Sequence, residues 1–200
     1  MKLFVRTTLI AIVGLQLTGC MFRTKDDAKP FELSDKELVK RGEYLVTTSA
    51  CHDCHSPKIM GAHGLTLDPD RILSGHPQDE KLPPIQTYSD EWIMFNGGLT
   101  GFVGPWGISY AANLTPDDTG TGSWSFEQFK TAIRKGKFKG LEGSRDLLPP
   151  MPWEMYRNFT DDDLIAIFAY LQSIKPVNNL VPPPVSREDL ELQLAKQTNP

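Results

Sequence analysis

Cys51-His52-Asp53-Cys54-His55 is the stretch around which the rest of the chain is organised. Two cysteines separated by two residues and followed at once by a histidine match the attachment pattern of c-type haem. The chemistry accounts for the spacing. Each thiol adds to one vinyl group of a porphyrin, and two thioether bonds from a single turn place the next side chain, His55, beneath the iron as an axial ligand. The pattern predicts one covalent haem c, held by Cys51 and Cys54 with His55 on the metal. Two other chemistries use such a pair. A structural zinc ion needs four ligands, and beyond this stretch the chain offers Cys20, accounted for below, and the unpaired His63 and His76. A thioredoxin-like redox pair calls for βαβ patterning around it, which the flanking sequence lacks.

The chain has 200 residues, 40% of them hydrophobic and 23% charged, enough for one domain with its own core. The first residues stand apart from that core. Lys2 and Arg6 form a short positive region, and Leu9 to Leu17 is apolar but too short to span a bilayer stably. The apolar run ends in Leu17-Thr18-Gly19-Cys20, which resembles the lipobox of bacterial lipoproteins. The expectation is a signal peptide over residues 1–19, cleavage before Cys20, and lipid on that cysteine, anchoring the protein to a membrane on its periplasmic side. The alternative is an ordinary secretory signal. Met21, where an Asp would favour the inner membrane in lipoproteins of this type, leans the expectation towards the outer membrane. The three cysteines then divide into one anchor and one haem pair, with no structural disulfide to assign. Loss of residues 1–19 removes Lys2 and Arg6 and no acid, so the formal net charge moves from −4 to −6. That acidic balance argues against a nucleic-acid partner. Residues 20–33 form the lipidated cysteine and a polar tether.

The domain is expected over residues 34–182. Ser34 followed by Glu37 is a capping box, and Leu38, Val39, Gly42, Leu45 and Val46 make one apolar stripe on a helix expected to run directly into Cys51. Gly42 within that stripe lets another helix approach closely. A second strong helix starts at Thr160, with Asp161, Asp162 and Asp163 in its first turn, where the helix dipole favours negative charge. Leu164, Ile167, Phe168, Leu171 and Ile174 supply its apolar face, and Pro176 stops it. A third helix is predicted from Ser125 to about Lys135, and a weaker one from about Asp90 to Asn96, capped by Ser89 and ended by Gly97-Gly98. The long Gly- and Pro-rich stretches between these are expected to wrap the haem in place of a conventional core, so the fold class expected is all-α. The tail over residues 183–200 reads as a proline spacer and a short polar helix outside the core.

Function turns on the second face of the iron. A protein ligand there makes the haem an electron carrier, while an open position lets it bind small molecules. Leu147-Leu148-Pro149-Pro150-Met151-Pro152-Trp153 is the best source. A methionine between prolines stands on a stiff backbone, and a thioether opposite histidine favours ferrous iron and raises the reduction potential. Met60, Met94, Met155, His63 and His76 are the other candidates; the competing account of Met151 is simple core packing. The order of helix, CxxCH, long loops, Pro-Met-Pro and terminal amphipathic helix resembles the monohaem class I cytochrome c family. The stretches that carry it are Arg41-Gly42-Glu43-Tyr44-Leu45-Val46; Asn113-Leu114-Thr115-Pro116-Asp117 with Gly120 and Gly122 before Trp124; Leu148-Pro149-Pro150-Met151-Pro152; and Ala169-Tyr170-Leu171. Together they look like the bacterial periplasmic cytochromes found as electron-transfer subunits beside dehydrogenases.

The resemblance implies a class I cytochrome c fold around one haem, thioethers at Cys51 and Cys54, axial ligation by His55 and Met151, and a crossing of the first and last helices. It also implies redox partners: a donor dehydrogenase and an acceptor cytochrome or oxidase. The chain is then an electron carrier rather than an enzyme in itself. Two readings stay open beside it, an obligate haem subunit of an oxidoreductase complex and a haem sensor or enzyme with an open sixth site. The basic run Arg134, Lys135, Lys137 and Lys139 is either a solvated helix end or a site for acidic groups. By analogy, Arg145 and Trp124 are candidate contacts of the haem propionates. Trp106, Trp153 and Tyr156 are assigned to packing in the haem pocket.

Overall fold

Ser34 opens the first helix as its neighbours dictate. Its hydroxyl accepts from the Glu37 amide, and the Glu37 carboxylate accepts from the Ser34 amide at 3.0 Å, closing the capping box of α1 (Asp35–Thr48). The computed structural model describes residues 34–85 and 89–198; the export segment, Cys20 and the tether lie outside the described residues. Among the described residues no helix is long and apolar enough to cross a membrane. α1 does not run on into Cys51. Ser49 and Ala50 interrupt it, with Ala50 in the left-handed region at φ 58°, and a separate single turn, α2 (Cys51–His55), begins there.

The all-α expectation is overturned. Two antiparallel sheets occupy the stretches expected to be irregular. β1 (Lys58–Gly61) and β2 (Gly64–Leu67) form a hairpin directly after α2. A four-stranded sheet follows, in the order β3 (Met94–Phe95), β4 (Gly101–Gly104), β5 (Gly107–Tyr110) and β6 (Val185–Ser186). Its register pairs Met94 with Val103, Val103 with Ile108, and Ile108 with Val185. The fold is therefore mixed, with helices and sheets side by side. The strands are two to four residues long, and β4 is buried throughout, so neither length nor alternation announces it.

The helix expected over Asp90–Asn96 is a turn followed by β3. The Ser89 hydroxyl accepts from Glu91 N–H at 3.1 Å, a local bond that competes with helix formation. The aromatic and β-branched run Trp92-Ile93-Met94-Phe95 suits a pleated surface and finds a partner in β4. Gly97-Gly98 is then the turn between strands, and Asn96 holds it: its Oδ1 accepts from the amides of Thr100 (2.9 Å) and Gly101 (3.0 Å).

The remaining helices are α3 (Phe126–Lys135), the short α4 (Trp153–Tyr156), α5 (Asp161–Ser173) and α6 (Arg187–Thr198). α5 is capped by Thr160, whose hydroxyl accepts from Asp163 N–H at 3.1 Å. α1 and α5 cross closely. A Cβ built on Gly42 would overlap the Ala166 carbonyl oxygen, so the absent side chain sets the distance between the axes. Leu45, Val46, Leu73, Phe129, Leu164, Ile167 and Leu171 pack at the crossing, and Arg41 bridges to Asp163 at 2.9 Å. A second cluster joins Val103 and Ile108 of the sheet to Leu190 of α6. The tail thus extends the sheet and covers one face of it.

Candidate haem site

α2 carries Cys51 and Cys54 three positions apart on helical backbone, so both thiols project from one face. His55 ends the turn. Its Nδ1 lies 2.8 Å from the carbonyl oxygen of Ala112. A carbonyl only accepts, so Nδ1 carries the proton and Nε2 keeps its lone pair for a metal. The backbone is held on the same side: Gly75 N–H donates to the His55 carbonyl at 2.7 Å. Gly75, at φ +77°, lies so close to the Ala111–Ala112 backbone that a Cβ there would come within 2.5 Å of Ala111 O. Beneath the turn, Ser56 is fully buried; its hydroxyl accepts from Leu73 N–H (2.9 Å) and meets His52 Nδ1 (3.0 Å). Lys58 Nζ donates to the carbonyls of His52 and Asp53 at the end of the turn.

The thiols are not arranged for redox exchange. Burial pushes the Cys51 thiol up to about 11 and raises that of Cys54 as well, whereas reactive cysteines sit where the thiolate is stabilised. Among the described residues no cluster of three or more His, Cys, Asp or Glu side chains is placed to hold a metal ion. The donor set fits a haem: two thiols on one face of a turn, and an imidazole oriented by its other nitrogen.

Met151 lies in a separate segment. It is partly buried and lines a cavity of about 210 Å³ with Pro149, Pro150 and Trp153, a cavity to which α2 contributes no wall. One hydrogen bond ties the region after Met151 to the backbone just ahead of α2, and another ties Pro149 to β5. The Tyr156 hydroxyl donates to the carbonyl of Ser49, just ahead of α2, at 2.6 Å. The Ser109 hydroxyl on β5 donates to Pro149 O at 2.6 Å. β5 and its continuation therefore hold both segments, Pro149 through Ser109 and His55 through Ala112.

His76 is not available to a metal. It is fully buried; Nε2 donates to Glu80 O at 3.2 Å and Nδ1 accepts from the Thr100 hydroxyl at 2.9 Å, while the ring packs on Tyr110 at 4.7 Å. Met60 is 76% and Met155 67% exposed; His63 is exposed at the β1–β2 turn, and Met94 lies on β3. Most of the basic run is paired internally, Arg134 with Asp161, Lys135 with Glu142 and Lys137 with Asp146, as a solvated helix end would be. Arg145 instead stacks on Phe138 at 4.0 Å, and its guanidinium has no carboxylate partner among the described residues. Trp106 donates to Ser109 Oγ at 3.0 Å, Trp153 lies against Gly136, and Trp124 packs at the edge of the helical core.

Several supporting groups had no sequence signal. The carbonyl of Ala112 belongs to an unremarkable residue. Asn113 and Asn179 are buried and staple the loops: Asn179 Nδ2 donates to Ser74 O (2.7 Å) and His76 O (2.9 Å), and Asn113 Nδ2 donates to Val177 O (2.9 Å). The visible hints were Asn113, which stands in the Asn113–Asp117 stretch quoted above, and Gly75, in Ser74-Gly75-His76-Pro77, because a glycine so placed marks a left-handed or crowded backbone.

No family model matches the chain, but curated proteins do. It is 33% identical over 142 residues to the gluconate 2-dehydrogenase cytochrome c subunit of Pantoea cypripedii, across 70% of this chain and 24% of that protein. It is 31% identical over 171 residues to the cytochrome c subunit of the quinone alcohol dehydrogenase of Gluconobacter oxydans, across 84% of this chain and 27% of that protein. Its homologues are cytochrome c subunits of dehydrogenases. A shorter match, 40% over 88 residues, is to a subunit of the nicotinate dehydrogenase of Pseudomonas putida, and covers 44% of this chain and 7% of that protein. The chain thus spans about a quarter or less of the length of these relatives.

Proposed function

We propose that this chain carries one haem c, bound through Cys51 and Cys54 and ligated by His55 and Met151, and that it passes single electrons between a dehydrogenase and an acceptor protein. The observation that carries the reading is the His55 ring: its Nδ1 is committed to Ala112 O, one turn from two thiols that share a face. Likeness to cytochrome c subunits supports it. The chain's three cysteines allow no second thioether pair once Cys51 and Cys54 are used. A haem supplies a one-electron couple at its iron. The protein's own residues do the rest: the thiols fix the macrocycle to α2, Ala112 orients the imidazole, the Pro-Met-Pro segment presents a thioether, and Arg145 supplies a cation for a propionate.

The relatives are subunits of dehydrogenases, which favours a place within an oxidoreductase complex over that of a free carrier. Cys20 carries lipid in this reading and fastens the protein to the periplasmic face of a membrane, the outer one favoured by Met21. Purified protein that stains for haem after denaturation, and loses the stain in Cys51→Ala/Cys54→Ala, supports the covalent cofactor; colourless protein refutes it. Met151→Ala is expected to abolish the sulfur-to-iron absorption band and lower the potential, and an unchanged spectrum rules Met151 out. Rapid, tight carbon monoxide binding to the ferrous wild type would indicate an open sixth site. Cys20→Ala is expected to release the protein from membranes, and retention there refutes the anchor.

A further inference from the structure

The turn between β4 and β5 begins a polar relay that ends at the methionine segment. Gly104 pairs with Gly107, so the hairpin closes through Pro105-Trp106. The Trp106 indole lies against Gly104, where a Cβ would come within 2.5 Å of the ring, so the bare backbone there is what seats the ring. Its Nε1 donates to Ser109 Oγ at 3.0 Å. Ser109 is buried and in turn donates to Pro149 O at 2.6 Å. The polarity has one solution. An indole N–H only donates and a peptide carbonyl only accepts, so the hydroxyl accepts from one and donates to the other. Its rotor is thereby fixed.

The acceptor stands two residues before Met151. Pro149, Pro150 and Pro152 lock their own φ angles, so a restraint on the Pro149 carbonyl is carried to the Met151 backbone through few soft torsions. The flanks are anchored separately: Leu147 N–H donates to Gly136 O, and Met155 N–H donates to Pro152 O. Among the described residues no other hydrogen bond joins residues 148–151 to another segment. One hydroxyl is therefore the polar tether of the whole stretch.

We propose that Ser109, oriented by Trp106, is a positioning residue that holds the Met151 thioether in place for the iron. The proposal rests on the reading of Met151 as axial ligand. It assigns to β5 a role beyond packing, since the strand that leads to the acceptor for His55 also clamps the opposite ligand's segment. Without the hydroxyl the segment gains freedom, the thioether leaves the iron more often, and added ligands compete more successfully.

The test uses the full-length holoprotein and imidazole as competing ligand for the ferric iron. Ser109→Thr and Ser109→Val have nearly the same shape and differ in the hydroxyl. The valine variant is expected to bind imidazole about five- to tenfold tighter than the threonine variant, the scale of one net hydrogen bond, and to lose its sulfur-to-iron band at lower temperature. Trp106→Phe is expected to shift both readouts the same way by a smaller factor. Equal imidazole affinities in the Thr and Val variants overturn the proposal, provided Met151→Ala abolishes the band. A Met151→Ala protein that keeps the band overturns the ligand assignment itself. If neither Ser109 variant yields holoprotein, Trp106→Phe decides: wild-type affinity and band stability there refute the relay.

Discussion

His55 Nδ1 and the Ala112 carbonyl oxygen lie 2.8 Å apart, joining residues 57 positions apart in the chain. The bond sets the tautomer, fixes the plane of the ring and leaves Nε2 as the free donor, the arrangement in which outer partners tune a ligating histidine. Ala112 is in turn placed by Gly75 and His76, whose backbone amides donate to His55 O and Ala111 O. His55 is thus held by three segments that meet only in the folded chain.

Gly75→Ala tests that arrangement. The residue stands at φ +77° with no room for a Cβ beside Ala111 O. An alanine is strained and also displaces the Ala111–Ala112 segment that carries the His55 acceptor. We expect a loss of about 2–4 kcal/mol in unfolding free energy and an altered electron paramagnetic resonance spectrum of the ferric haem. An unperturbed spectrum at wild-type stability would show that Gly75 does not support the histidine.

Gly42→Ala probes the helix crossing. The added methyl overlaps the backbone oxygen of Ala166, and a carbonyl in a helix cannot turn aside as a side chain would. Overpacking of this kind costs about 1–3 kcal/mol or more. The denaturant midpoint should fall with little change in slope. Because Ser49 and Ala50 separate α1 from α2, oxidised and reduced spectra at low temperature should stay near wild type; a large spectral change would mean the crossing also shapes the Cys51–His55 turn.

His76 makes stability depend on pH. Burial holds its pKa below the ordinary value, against the opposing pull of the Glu80 carbonyl and carboxylate. The unfolded chain regains an ordinary value of about 6.5. Below that pH the unfolded state takes up a proton that the folded state refuses, so stability falls as pH falls from about 6.5 towards the folded pKa and is flat above it. His52, also lowered chiefly by burial, acts in the same direction. Urea midpoints of the holoprotein should therefore drop between about pH 7 and pH 5.5, and His76→Gln should flatten part of that slope. An equal slope in the variant would show that His76 titrates normally when folded.

Leu190→Ala tests the tail. Leu190 is 1% exposed against Val103 and Ile108, and truncation of a buried leucine costs about 2–5 kcal/mol. The loss falls on the docking of α6 and β6, so limited proteolysis should cut near Pro182–Pro184 faster than in the wild type while the α1–α5 core stays intact. Cleavage at the wild-type rate would mean the tail is held by other contacts.

Much of this was legible because it is local. A capping hydroxyl finds its amide three residues away, as Ser34 and Thr160 do, and an apolar stripe repeats within one helix. The Cys51–His55 turn carries its spacing in five consecutive letters. The strands were illegible because they are too short to show a period. β3 is two residues long and exposed, and Met94–Phe95 is a strand only because Phe102 and Val103 are folded back beside it. The second-ligand candidates show the same division: residue type alone admitted His76, and only its packing against Thr100, Glu80 and Tyr110 withdraws it.

The sequence by itself determined the haem-type turn, the two principal helices with their caps, and the close approach at Gly42, because each depends on groups within a few residues of one another. Tertiary structure alone decided that the tail completes one of the sheets, that the Ala112 carbonyl holds His55, and that the Ser109 hydroxyl holds Pro149. Those outcomes depend on which backbone groups of distant segments meet, and no run of neighbouring side chains encodes that.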